Sequence, residues 1–347
     1  MTHEDTAVTD ENATGNAIPE SALEPSPAEG LLPDAPSAPR AILSHHLTYN
    51  DYLKVPELLS LQQPKSDPAH HDEMLFIIIH QAYELWFKLL LHELTRAKSH
   101  VDEDQPLRAR HFIERVVAIM RLLVDQIHIV ETMQPIDFLW FRDNLMPASG
   151  FQSLQFREVE FLCGIKDGRY CTFFDNRPEM RATLEARLDG EDLRTAAWRM
   201  LQRGGLPITD AGCDPATRDD PAVLESTAAA MLPILEAPEA HLAESLLLES
   251  LISLDEQLAL WRDHHVRVVA RVIGWRVGSG GSAGVDYLKS TTSKLAFPEL
   301  WTARTMLVRS DRSGGLSHRS SPGAAATGQA AATPPLQCPA HTPKAPG

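Results

Sequence analysis

The sequence predicts an all-α protein, a bundle of long helices around one core. Apolar residues recur close to the 3.6-residue helical period over residues 72–98, from Pro106 through 132, and over 242–273. No segment shows the convincing two-residue alternation of a half-buried strand.

The two ends read differently from the middle. Residues 1–40 hold eight acids against one base, Arg40, and no aromatic residue; residues 311–347 are mostly Ser, Gly, Ala and Pro. Neither composition can bury enough apolar surface to offset the entropy of ordering, so both are expected to be disordered tails. Residues 41–310 are expected to form one domain. No apolar run reaches the roughly eighteen residues of a membrane span, and the acidic N-terminus is no signal peptide. Cys163, Cys171, Cys213 and Cys338 show no paired spacing, which suits a reduced, cytoplasmic protein. A net charge of −15 without a basic cluster argues against nucleic acid or anionic membrane as partners.

In chain order, residues 43–64 suggest one or two short helices, with Tyr49 and Tyr52 a turn apart. Over 72–98, Phe76, Ile79, Tyr83, Phe87, Leu90 and Leu94 mark an apolar face. Asp72 and Glu73 suit the positive end of the helix dipole, and Arg96 and Lys98 the negative end. His80 breaks the pattern, because a histidine after six apolar residues is costly unless bonded. A carbonyl or Glu84 could satisfy it. Pro106 opens the second helix at its first turn. IDFLWFRDNLMPASGFQS is dense in Phe and Trp and carries Arg142, which could grip a carboxylate or pair with Asp137 or Asp143. A helix over 151–163 is stopped by Gly164. Residues 164–222 read as irregular, with weaker helical pieces such as 178–189.

In the last long helix, His265 lies on the apolar face between Trp261 and Val269, while His264 points about 100° away. Gly274 can end it, and GWRVGSGGSAGVDYL follows; without a preceding strand or GKS/GKT it is no phosphate loop. No HExxH, nucleophile elbow or carboxylate pair stands out. Two histidines on apolar faces of two long helices are what a cofactor site inside a bundle requires, and a neutral imidazole is a good axial ligand for haem iron. Each could equally be a core histidine satisfied locally.

The segments HHDEMLFIIIHQAYELWFKLLLHEL, WFRDNLMPASGFQSLQFREVEFLCG and LWRDHHVRVVARVIGWRVGSGGSAGVDYL resemble the tryptophan 2,3-dioxygenase family, and AFPELW at 296–301 is similar to its FFPELF-like endings. The resemblance runs from about Leu43 to Val308 and is weakest between 175 and 240. It implies a helical bundle enclosing haem b, one per subunit. The implied activity is cleavage of the indole C2–C3 bond of L-tryptophan by O2, giving N-formylkynurenine, in a cytoplasmic homotetramer. It implies His265 as the haem-iron ligand and His80 as the distal histidine that bonds the indole N–H. Phe76, Ile77, Ile78 and Ile79 would line that pocket. Arg142 would hold the substrate carboxylate, with Phe138 beside it and Ser149 facing the distal side. Tyr49 and Tyr52 would close a neighbouring subunit's pocket. The family's GTGGSSG reads GSGGSAG here, so Ser279 keeps a hydroxyl and loses a methyl. A sister haem enzyme that oxygenates a substituted tryptophan and a non-catalytic haem sensor are the alternative readings.

Overall fold

The structure, a computed structural model, describes residues 47–276 and 284–308; both tails and Ser279 lie outside these. Among the described residues there are fourteen α-helices, a few 3-10 turns and no strand, so the chain is all-α. It divides into two compact units, one up to Leu61 and one from Gln62 onward.

The first unit contains α1 (Tyr49–Leu53) and α2 (Val55–Leu59). Thr48 caps α1: its Oγ1 accepts from the Asp51 amide at 3.2 Å, and the Asp51 carboxylate accepts in return from the Thr48 amide at 3.3 Å. Tyr49 and Tyr52 are exposed on α1.

The second unit is built on three long helices: α3 (His71–Asp102), α4 (Pro106–Val130) and, late in the chain, α12 (Leu242–Ile273). The central one is α4, packed along both others. Ile79, Tyr83, Phe87, Leu90, Leu94, Ala97 and Val101 form the buried stripe of α3, at the spacing read from the sequence. The Tyr83 hydroxyl donates to the Leu123 carbonyl at 3.1 Å, and Arg115 donates to Glu93 at 2.8 Å, which fixes α3 and α4 antiparallel. By length and composition α3 could cross a membrane, with a stretch of mean hydropathy 1.4. The sequence reading missed this because Glu84 and Lys88 interrupt the run. In the fold, α3 packs along α4, α6 (Leu154–Leu162) and α8 (Leu193–Arg203).

The stretch read as irregular is more helical than expected. It holds α7 (Pro178–Asp189), α8, α9 (Asp210–Cys213) and the start of α10 (Pro221–Ala230). Helix α8 hides its character because its buried face carries charge. Arg194 is buried and donates through Nη2 to Glu299 at 2.7 Å, while the Trp198 indole donates to the same carboxylate at 3.0 Å. Beside it Arg218 donates to Asp192 at 2.8 Å and to the Gly164 carbonyl at 2.9 Å. Glu299 belongs to α14 (Pro298–Met306), which follows α11 (Leu232–Glu236), α12 and α13 (Val285–Thr291). Asp255 of α12 accepts from the Ala296 amide (2.7 Å), the Phe297 amide (3.0 Å) and the Trp301 indole (2.9 Å), anchoring the start of α14. These bonds account physically for the AFPELW segment.

Candidate active site

Helices α3, α4, α6, α12, α13 and α5 (Pro135–Arg142) wall a mostly apolar cavity of about 1590 Å³, its opening to solvent included. From α3 come Phe76, His80, Tyr83, Glu84 and Phe87, one face of the helix by their spacing of three and four. Ile77, Ile78 and Ile79 do not line it, which corrects the expectation for them. Successive residues turn about 100° around a helix, so an unbroken apolar run cannot present a single face. Ile79 is buried in the core, and Ile78 is 48% exposed.

His80 is bonded as one of its two readings required. Its Nδ1 lies 2.7 Å from the Phe76 carbonyl, which can only accept, so Nδ1 carries the proton and Nε2 keeps a lone pair. Burial pushes its pKa below the usual value, against the Phe76 carbonyl and Glu84, which favour the charged form. His265 reaches the cavity from α12, with its ring 5.1 Å from that of Trp261. Burial pushes its pKa down to about 4, and His80 and Arg157 act in the same direction. Both imidazoles are therefore neutral at pH 7. Both line the cavity. His264 points elsewhere and packs on His128 at 5.3 Å.

Arg142 lines the cavity from the last turn of α5. Phe138, one turn earlier, is buried with its ring 5.7 Å from Phe76. Ser149 caps the 3-10 turn Gly150–Gln152: its Oγ accepts from the Phe151 amide at 3.4 Å, which holds it at the cavity wall. Thus Phe76, His80, Phe138, Arg142, Ser149 and His265 come together around one space. Tyr49 and Tyr52 belong to the other compact unit.

Three donors in the wall have no acceptor among the described residues: Nε1 of Trp261 and Nε of Arg157 and Arg262, all buried. Two guanidiniums here share one carboxylate, since Arg157 and Arg262 both donate to Glu160. The Arg157 guanidinium also lies 4.0 Å from the Tyr170 ring centre. No group of three or more His, Cys, Asp or Glu suited to a metal occurs among the described residues. A metal bound through the single imidazole of His265 must bring its other ligands with it, as the iron of a porphyrin does.

The family model described as tryptophan 2,3-dioxygenase matches residues 36–201 and 225–307. The chain belongs to the tryptophan 2,3-dioxygenase family. A tryptophan 2,3-dioxygenase from Caulobacter vibrioides is 41% identical over 268 residues, covering 76% of this chain and 100% of that protein. One from Xanthomonas oryzae pv. oryzae (strain PXO99A) is 39% identical over 283 residues, 80% of this chain and 94% of its own. In this member of the tryptophan 2,3-dioxygenase family, the segments that carried the resemblance are the cavity walls: α3, the α5-to-α6 region, and α12 with α13. Sequence reasoning missed Arg157, Glu160, Trp261 and Tyr287 as site residues. The signal available was the Arg–Glu spacing of three in FREVEF and the place of Trp261 one turn before His265.

Proposed function

We propose that this chain is a haem-dependent dioxygenase that cleaves the indole C2–C3 bond of L-tryptophan with O2 to give N-formylkynurenine. It would catalyse the first step of tryptophan degradation by the kynurenine pathway, working in the cytoplasm as a homotetramer. The observation that carries the reading is the placement of two neutral histidines, from separate long helices, on one apolar cavity beside an arginine.

The residues present fit haem b. Neutral His265 offers a lone pair for iron, and the surrounding Val268, Val272 and Phe156 suit an apolar macrocycle. When bound, haem supplies the dioxygen chemistry that inserts both oxygen atoms and opens the pyrrole ring.

The chain supplies position and polarity. Arg142, with its planar fork of donors, binds the substrate carboxylate. The Nε2 lone pair of His80 accepts the indole N–H, which orients the ring. His80 needs no proton transfer for this and stays neutral throughout. Phe76 and Phe138 exclude water around the ring. The deciding experiment is mass spectrometry of the product formed from L-tryptophan under labelled oxygen gas. Two labelled atoms in N-formylkynurenine are expected; a product with one labelled atom, or no product, would refute the assignment.

A further inference from the structure

Glycine has an evident cause at most of the positions where its surroundings can be judged. A Cβ at Gly212 would sit 2.4 Å from Thr227 Oγ1, and one at Gly190 would sit 2.9 Å from the Ala186 carbonyl. Gly164, Gly205 and Gly274 have φ of +100°, +96° and +63°, where side chains are strained. Gly150 has neither cause. Its φ lies outside the left-handed region, the residue is exposed, and a Cβ built there meets nothing within 4 Å among the described residues. It lies on the cavity wall between Ser149 and Phe151, in the same stretch of chain that supplies Arg142. Phe151, also on the cavity wall, has its ring against Tyr287 at 4.8 Å. The 3-10 turn is held at both ends by serines: Ser149 Oγ accepts from Phe151, and Ser153 Oγ accepts from the Phe156 amide at 3.2 Å. Any L-residue could adopt this backbone, so nothing among the described residues calls for glycine.

We infer that Gly150 is a specificity-determining residue, and that its missing side chain reserves space in the cavity for the indole ring of the substrate. This rests on the proposed tryptophan reading and deepens it. Bulk at residue 150 would occupy volume that the loaded enzyme gives to the ring. Among the described residues the same bulk displaces no neighbour in the empty protein.

The experiment uses the haem-loaded full chain and its Gly150→Ala and Gly150→Val variants, with Gly168→Ala as a control. The control's Cβ would meet only Leu188, at an ordinary 3.4 Å, and Gly168 is not part of the cavity wall. Thermal midpoints of the ligand-free variants and haem content should match the parent. Since overpacking at a filled site is costly, L-tryptophan affinity, read from the haem absorption change, should fall by roughly fivefold for alanine and more for valine. The control should not change. Unchanged affinity in Gly150→Val overturns the inference, and so does loss of haem instead of tryptophan, which would assign the space to the cofactor. Parent enzyme that binds no tryptophan would instead defeat the underlying functional reading.

Discussion

His265 and Arg142 make the sharpest demands of any single residues. His265→Ala should strip the purified protein of its haem absorption band, whereas His264→Ala, whose ring packs on His128 away from the cavity, should leave it intact. Equal loss in both variants would sink the assignment. Arg142→Met should lower kcat/KM for tryptophan by tenfold or more at constant haem content, since a charge-assisted hydrogen bond contributes about 1.5–3 kcal/mol. An indole analogue without a carboxylate should be indifferent to that change. Each of these residues stood out in the sequence by departing from its surroundings, a histidine on an apolar stripe and an arginine among aromatics, but only the family resemblance gave it a role. Arg157 and Glu160 did not, since they neutralise each other within one helix turn and look like an ordinary surface pair until burial is known. Ile77, Ile78 and Ile79 were over-read for the opposite reason: an uninterrupted apolar run says that a helix is buried but not which face meets a ligand.

At the scale of elements, α3, α4 and α12 were readable because their stripes follow the helical period with no breaker. Helix α8 was not, because its inward face holds Arg194 and Thr195, whose partners lie far along the chain or in a loop. Such buried ion pairs have a testable acid signature. Burial pushes the Asp192 carboxyl up, but Arg218 and the Thr195 amide outweigh this and hold it below its ordinary value. A depressed folded-state pKa contributes stability that is fully present above the unfolded value, roughly 3.9, and is lost as pH falls through the folded one. Removing one partner of a buried pair costs about 3–5 kcal/mol, so Arg218→Met should unfold at much lower temperature at pH 7. Its deficit should shrink as pH falls toward 4, where the carboxylate, left with only Lys166 at 3.4 Å and the Thr195 amide at 2.8 Å, takes up a proton more readily. A deficit independent of pH would show that Arg218 acts by packing alone. Asp255→Asn should loosen the last helix, α14, by weakening its three-donor anchor, which faster amide exchange in Pro298–Met306 would register.

For the whole molecule, the proposed single working domain implies that a chain cut to residues 41–310 retains haem, activity and oligomeric state, the last because Tyr49 and Tyr52 remain. Loss of activity on removing only residues 1–40 would give that acidic arm a role. The helical class was legible from composition and period together, while the division at Leu61 was not, because residues 43–64 show no break in composition there. The cavity itself carries one more consequence, and it concerns time. Its walls come from residues as early as Phe76 and as late as Thr291. At a synthesis rate of about 5–20 residues per second, the first wall waits on the order of ten to forty seconds for the last. No nascent chain shorter than that contains the complete chamber. Acquisition of the proposed haem should therefore await the complete chamber, and ribosome-bound chains halted before α13 should emerge without it.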